Sequence, residues 1–261
     1  MKRYLIALAI AMGLCSAAQA EVPAACQDML PYGEPTWTGP ALQLATVCHT
    51  GYIAAVDTDR LVPAWVAWHL TPEHVVGACQ KRTDAFKADP SLTGRRATPA
   101  DYARTGYDKG HLSPFEDNAW SATAGAESFY MSNMSPQAPG LNREEWERLE
   151  EAARDWTQAV GDLLVADGPL YEGEPAHIGA DGVAVPVAFW KVVYSPSRGE
   201  ALAFIMQNIA IAKGPLAPYQ VTVAEVEHAA GLTLALPGVD KAAQPALWPD
   251  AGKPPKACPA P

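Results

Sequence analysis

The chain has 261 residues, of which 49% are hydrophobic, enough for one large domain with a buried core. Its 19 Lys and Arg against 29 Asp and Glu give a formal net charge of −10, which argues against a protein that coats nucleic acid, because such proteins are normally basic. The sequence lacks the motifs G-x-x-x-x-G-K-[ST], H-E-x-x-H, G-x-S-x-G and G-x-G-x-x-G, which excludes the corresponding phosphate-loop, zinc-protease, serine-hydrolase and dinucleotide sites.

The first twenty residues have the pattern of a secretory signal peptide. Lys2 and Arg3 are followed by an apolar run at residues 4–14 and by a small-residue cleavage site at residues 18–20. The run is too short to cross a bilayer, which takes roughly twenty residues. We therefore predict that residues 1–20 are removed, that residues 21–261 form a single domain, and that the protein is exported to the periplasm or the extracellular space. No later segment resembles a transmembrane helix, so no membrane partner is expected.

Four cysteines follow the predicted signal peptide, at positions 26, 48, 79 and 258. They lack the paired Cys-x-x-Cys spacing of a zinc site, and an oxidising compartment favours disulfides. Four cysteines allow three connectivities, which the sequence leaves open. We favour the local pair Cys26–Cys48, which leaves Cys79–Cys258 to hold the C-terminal tail.

Periodicity and turn residues predict the elements in chain order. Strands are predicted at residues 51–56 and 61–70, and residues 80–106, with two prolines and two glycines, form a long functional loop. Apolar residues spaced three and four apart predict an amphipathic helix at residues 142–160, with Asn142 as its N-cap. Strands at residues 163–166, 183–194 and 201–207 and a short helix at residues 223–230 complete the pattern. Strands on both sides of a central helix indicate an α+β fold rather than a doubly wound sheet.

His111 differs from the other five histidines in its neighbours. It ends the motif YDKGH at residues 107–111, in which glycine permits a tight backbone and lysine offers a cation to a phosphate. The segment that precedes it, from Lys81 to Lys109, has seven basic and four acidic residues, so its local field would attract phosphate. On its own the motif is short, and an ordinary core or surface histidine is the alternative.

Asn142, Trp146, Glu150 and Arg154 are spaced four apart along the predicted helix. Each step of four residues turns about 40° around the helix axis, so adjacent members share a face. Asn142 and Glu150 offer the hard oxygen ligands that suit Mg²⁺, directly or through water. Arg154 would complement a phosphate at the same site. A solvated helix face is the alternative interpretation.

Taken together, these motifs resemble the DNA/RNA non-specific endonucleases, the ββα-metal group that includes endonuclease G and secreted bacterial nucleases. The resemblance covers residues 50–235 in order and rests on residues 96–102 (RATPADY), 107–111 (YDKGH), 129–137 (FYMSNMSPQ), 141–142 (LN), 146 (W), 149–150 (LE), 167–171 (DGPLY) and 185–192 (VPVAFWKV). It implies a ββα-metal nuclease fold, in which a central antiparallel sheet is flanked by helices and carries a long catalytic loop and a metal-ligand helix.

The resemblance also implies a role for each matching residue. His111 matches the general base that activates the attacking water, and Asn142 matches the one side chain that ligates the metal directly. Glu150 matches the carboxylate that holds metal-bound water, and Arg154 matches an arginine that contacts the region of the scissile phosphate. Lys109 stands where the family usually has arginine, so it keeps the charge but loses the bidentate fork.

A further family arginine, in the loop before the motif, has its nearest counterpart in Arg82. The implied cofactor is Mg²⁺, with Mn²⁺ as a second candidate. The implied substrates are DNA and RNA, which would be cut with little sequence preference because phosphates carry no direct sequence information. The products would have 5′-phosphate ends.

Two other functions are compatible with the same fold. A non-catalytic nucleic-acid-binding relative would be expected to lack His111, Asn142 or Glu150, and all three are present. A phosphodiesterase for small nucleotides would be favoured by a narrow cleft. The sequence leaves open the preferred nucleic acid, the oligomeric state and any protein inhibitor.

Overall fold

A computed structural model describes residues 22–252 and 254–258. The predicted signal peptide, residues 1–20, lies outside this range. Among the described residues, every helix is too short or too polar to span a membrane.

The strands are β1 Thr36–Trp37, β2 Leu44–Cys48, β3 Ile53–Asp57, β4 Val62–Leu70, β5 Asp108–His111, β6 Met134–Gln137, β7 Leu163–Leu170, β8 Ala176–Ile178, β9 Val183–Val185, β10 Ala188–Ser195, β11 Glu200–Gln207, β12 Gln220–Val221 and β13 Leu232–Thr233. The α-helices are α1 Pro72–Val76, α2 Phe115–Asn118, α3 Ala122–Glu127, α4 Trp146–Val160 and α5 Val223–Ala230. The remaining turns of helix are the 3₁₀ segments Ala24–Cys26, Pro99–Tyr102, Met131–Asn133 and Ala217–Tyr219 and the π-helical turn Leu141–Glu145.

Seven strands form one antiparallel sheet in the spatial order β12-β11-β10-β7-β4-β3-β2. α4 packs on one face of this sheet through Trp146 and Trp156, in a cluster with Trp68 of β4. α5 packs on the other face through Val223 and Val226. Because both faces are covered, β4 and β10 are buried along nearly their whole length, which explains their almost continuous apolar sequence.

The structure confirms the predicted α+β architecture with a central antiparallel sheet, although several element ends differ. The single strand predicted at residues 183–194 is wrong, because it divides into β9 and β10 at Pro186, whose nitrogen has no hydrogen to donate to a neighbouring strand. The predicted helix at residues 142–160 becomes a regular α-helix at Trp146, after the π-helical turn. Asn142 lies inside that turn and makes no side-chain capping hydrogen bond, so the prediction that it is an N-cap is wrong.

Both favoured disulfides are present. Cys26–Cys48 joins the N-terminal segment to β2, and Cys79–Cys258 joins the start of the long loop to the C-terminal tail. The tail is also fixed by a hydrogen bond from the Ala257 nitrogen to the Val76 carbonyl, 2.8 Å long. The long loop contains the 3₁₀ turn Pro99–Tyr102 and is otherwise irregular, as the sequence predicts.

Candidate active site

His111 lies at the end of β5, which pairs with β6 in a separate two-stranded ribbon. Gly110, the residue before it, is required by close packing, because a Cβ there would lie 2.0 Å from the side chain of Gln137. Its imidazole packs between Phe86 and Phe129, with ring centroids 5.7 and 5.2 Å away, and the side chain is almost fully buried.

The imidazole of His111 is kept neutral by its surroundings. Burial and then the positive charge of Arg82 lower the pKa of His111 from 6.5 to about 3. Nε2 is buried and makes no hydrogen bond with any described residue. A buried nitrogen without a hydrogen-bond partner is uncommon, because buried polar atoms are nearly always paired. In a neutral imidazole such a nitrogen can accept a proton.

Asp108, at the start of β5, binds the second and third residues of the π-helical turn. Asn142 donates from Nδ2 to one oxygen of Asp108 at 3.0 Å, and Arg143 donates to both oxygens at 2.7 and 2.6 Å. Burial opposes ionisation of Asp108, but the hydrogen bonds from Arg143 and Asn142 outweigh it and lower its pKa. An ionised carboxylate can only accept, so the amide nitrogen of Asn142 must face it and the amide oxygen must face away.

An open cleft of about 270 Å³ lies in front of these groups, and we call it the cationic cleft. Its cations are Arg82, Lys109 and Arg143, of which Arg82 is paired with Asp84 and Arg143 with Asp108. Asn142 and Phe86 complete the lining. The Lys109 ammonium lies 4.7 Å from the ring centroid of Phe86, on which the ring of His111 also packs. Phe86 therefore lies against both the cleft and the candidate base.

Glu150 and Arg154 belong to a second, more buried group of charges. Arg154 donates to Asp117 at 2.8 Å, and Asp117 also accepts from Trp68 at 3.0 Å. Burial raises the pKa of Glu150 well above its ordinary value, against the opposing charges of Lys191 and Arg154. The ammonium of Lys191 is itself fully buried, 4.6 Å from the ring centroid of Trp68 and in contact with Asp167.

The predicted site residues therefore form two groups. Lys109 and Asn142 line the cationic cleft, and His111 packs behind its Phe86 wall, whereas Arg154 lines a separate pocket of about 400 Å³ with acidic side chains. Twelve residues separate Asn142 from Arg154, a distance of about 18 Å along a helix. The two groups are connected through α2, because Glu116 lies 3.7 Å from Arg82 and its neighbour Asp117 binds Arg154.

Comparison with known proteins matches the sequence to one family. The sequence model of the DNA/RNA non-specific endonucleases matches residues 36–241. The chain belongs to this family. Mitochondrial endonuclease G of Homo sapiens is 33% identical over 196 residues, which are 69% of this chain and 66% of that protein. Nuclease C1 of Cunninghamella echinulata var. echinulata is 33% identical over 227 residues, 79% of this chain and 87% of that protein.

A solved structure gives the same result for the fold. The crystal structure of the EndoG/EndoGI complex, which concerns EndoG inhibition, matches with a TM-score of 0.71 and 30% identity over 82% of this chain and 93% of that chain. The ββα-metal fold implied by the resemblance is thus confirmed. The chain spans slightly less than two thirds of the length of the human relative.

The donor chemistry of the cleft fits the divalent cation expected in this family. The described residues contain no cluster of three or more His, Cys, Asp or Glu that could enclose an ion. The amide oxygen of Asn142, which faces away from Asp108, could serve as a single neutral ligand. Such a sparse set suits Mg²⁺, which keeps most of its water shell, and does not suit Zn²⁺, which takes several nitrogen or sulfur ligands.

Sequence reasoning missed Arg143, Asp117 and Lys191. Arg143 directly follows the candidate metal ligand, which was a usable signal. Lys191 lies in the apolar run of β10, where a single charge on a buried strand must have a partner inside the protein. Asp117 gave no local signal, because its partner Arg154 is 37 residues away.

Proposed function

We propose that this member of the family is an exported, Mg²⁺-dependent endonuclease that hydrolyses phosphodiester bonds of DNA and RNA with little sequence specificity. The observation that carries the proposal is the neutral, unpartnered imidazole of His111 behind a cleft that holds Asn142 and three cations. Family membership and the shared fold support the same activity.

His111 is the general base in this proposal. Nε2 takes a proton from a water molecule, whose oxygen forms a new bond to phosphorus in line with the bond that breaks. The phosphorus–O3′ bond breaks, the 3′ oxygen takes a proton from solvent, and the product keeps a 5′-phosphate. Nε2 is buried in the structure, so the ring or a neighbouring side chain must move for water to reach this nitrogen. Burial is the larger cause of the low pKa of His111 and the charge of Arg82 the smaller one; a substrate phosphate beside Arg82 would offset the smaller cause and so make the ring a stronger base.

Asn142 would hold Mg²⁺ through its amide oxygen, and Glu150 would act through water. When bound, the ion neutralises phosphate oxygens and stabilises the leaving 3′ oxygen. Asp108 keeps the amide oxygen of Asn142 turned away from itself. In the structure Arg154 is paired with Asp117, so its proposed contact with phosphate requires a phosphate to share or replace that partner.

Export is proposed on two grounds. The first twenty residues have the composition of a signal peptide, and the chain has two disulfides, which persist in oxidising compartments. Fractionation of cells that express the full chain, with sequencing of the mature N-terminus, tests this. Export and cleavage predict a start at Glu21, whereas an intact chain in the cytoplasm would contradict the proposal.

One assay separates the proposed function from its two rivals. Purified protein is incubated with supercoiled plasmid, with a structured RNA and with a dinucleotide, each with Mg²⁺ or with EDTA. An endonuclease nicks the plasmid and cuts the RNA in Mg²⁺ alone. Binding without cleavage would favour a non-catalytic relative, and cleavage of the dinucleotide alone would favour a small-nucleotide phosphodiesterase.

A further inference from the structure

Arg143 is a cation of the cleft that is both exposed to solvent and held in a fixed position. Its side chain is 67% exposed, yet its guanidinium is fixed by two hydrogen bonds to Asp108. It lies directly after the candidate metal ligand Asn142, and it lines the same cleft as Lys109. The family resemblance assigns it no role.

The hydrogen-bond inventory of Arg143 leaves donors for a ligand. A guanidinium has five N–H groups in a planar fork. Asp108 accepts one from Nε and one from Nη2, so the second N–H of Nη2 and both of Nη1 have no partner among the described residues. Because Asp108 fixes the side chain, little rotamer freedom is lost when a ligand binds.

The lysine at position 109 explains why a second guanidinium would be useful in the cleft. The family usually has arginine at that position, so the chain lacks a guanidinium fork where one is expected. Arg143 returns a fork to the same cleft from the opposite element, the π-helical turn rather than β5. We propose that Arg143 is a substrate-binding residue that holds a backbone phosphate of the nucleic acid beside Asn142. It would supply the guanidinium fork that Lys109 lacks, and this role rests on the proposed nuclease function.

The first test measures binding without cleavage. All variants are made in a His111→Ala background, and the affinity for a fluorescein-labelled DNA duplex is measured by anisotropy at several salt concentrations. Arg143→Gln should weaken binding roughly 10-fold, the scale of one charge-assisted hydrogen bond. It should also reduce the slope of log affinity against log salt by about 1, because one fewer phosphate is neutralised. Arg143→Lys should keep the slope and lose part of the affinity.

Arg198→Gln is the matched control. Arg198 also pairs with a carboxylate, that of Glu200 at 2.8 Å, and its side chain is 44% exposed. It lies in the turn that follows β10. The other end of β10, eight residues or roughly 26 Å away, lies beside β6, because Asn208 donates to the carbonyls of both Pro136 and Pro186. Its loss removes the same charge and should change neither the affinity nor the slope by as much.

The second test asks whether Arg143 replaces the missing fork. Lys109→Arg should restore binding in the Arg143→Gln variant, and it should give a smaller gain when Arg143 is present. This difference is a coupling that a double-mutant cycle measures. If Arg143 only positions Asp108 and Asn142, Lys109→Arg restores nothing and the salt slope of Arg143→Gln stays that of the parent.

The outcomes separate this inference from the proposed function. If the parent chain cuts plasmid and Arg143→Gln binds DNA like Arg198→Gln, the role of Arg143 is wrong and the nuclease proposal stands. If the parent chain neither cuts plasmid nor binds the duplex, the nuclease proposal fails, and the inference fails with it.

Discussion

At the scale of single residues, the proposed chemistry depends on the side chain of His111. His111→Ala should lower plasmid cleavage on the order of 10²-fold or more, the usual scale for loss of a general base. The variant should still fold and bind DNA, because the cleft cations remain. Circular dichroism and anisotropy check these two points, and near-normal turnover would remove His111 from the mechanism.

The buried imidazole should also make stability depend on pH. The folded pKa of His111, about 3, is below its ordinary 6.5, so between these values the unfolded chain binds a proton that the folded protein does not. Stability from this group is complete above pH 6.5 and falls as the pH drops, by roughly 1.4 kcal/mol per pH unit. Urea denaturation of the parent and His111→Asn between pH 7 and 4 measures it. The variant should have a shallower slope, and equal slopes would show that the folded ring titrates normally.

Lys109 tests whether charge or fork geometry matters at its position. Lys109→Ala should reduce DNA cleavage about 10- to 150-fold, from the roughly 1.5–3 kcal/mol of a charge-assisted hydrogen bond. The loss should shrink in high salt, which screens phosphate contacts. Lys109→Arg should preserve or raise activity. Rates at two salt concentrations check this; an alanine variant as active as the parent at low salt would show that Lys109 has no role.

At the scale of elements, the site is where the β5–β6 ribbon meets the π-helical turn. Single π-helical turns occur often at functional sites, because the wider turn redirects a side chain out of the regular helical row. Here the turn carries Asn142 and Arg143 to Asp108 of β5. The regular helix that follows buries Trp146 and holds Glu150 beneath the sheet face.

Because Asn142 and Glu150 lie at different places, alanine substitutions at the two positions should reduce cleavage to different extents. Asn142→Ala should reduce cleavage severely and flatten the Mg²⁺ titration, because the one direct ligand is lost. Glu150→Ala should reduce it less, since Glu150 is expected to act through water. Mn²⁺ binding followed by electron paramagnetic resonance checks the ligand independently of turnover. Unchanged Mn²⁺ affinity in Asn142→Ala would place the metal elsewhere.

At the scale of the whole molecule, two disulfides tie the segments that contain Cys26 and Cys258 to the rest of the domain. Cys26–Cys48 closes 22 residues and Cys79–Cys258 closes 179, so both restrict the unfolded chain. We predict that the mature protein has no free thiol, before or after denaturation, when titrated with Ellman's reagent. Two thiols would show that one bridge does not form in solution. One thiol would show that Cys15, and with it the predicted signal peptide, is retained.

The net charge of the whole molecule also affects where nucleic acid can bind. The chain is acidic, with a formal net charge of −10, yet the cationic cleft concentrates Arg82, Lys109 and Arg143 at one place. Because the basic residues are concentrated in the segment 81–109, nucleic acid should approach the side of the molecule that carries this segment and the cleft.

The sequence by itself determined those features that depend on local order along the chain. The motif that ends in His111 and the apolar runs of the strands each act within a few residues, so their patterns predict the elements and the candidate residues. The four-residue spacing from Asn142 to Arg154 predicts the helix, but not that these two residues lie in separate pockets. The cysteine pairing was favoured on the same basis, because a short loop closes at a lower entropic cost than a long one and the two remaining cysteines have only each other.

The tertiary structure alone decided which side chains meet across the chain. Asp108 and Arg143 are 35 residues apart, and Asp117 and Arg154 are 37 apart, and both contacts depend on how separate elements pack. The packing of Phe86 against His111 and the division of the predicted site into two groups have the same origin. Side-chain partners inside a protein are fixed by packing between distant segments, and no local pattern carries that information.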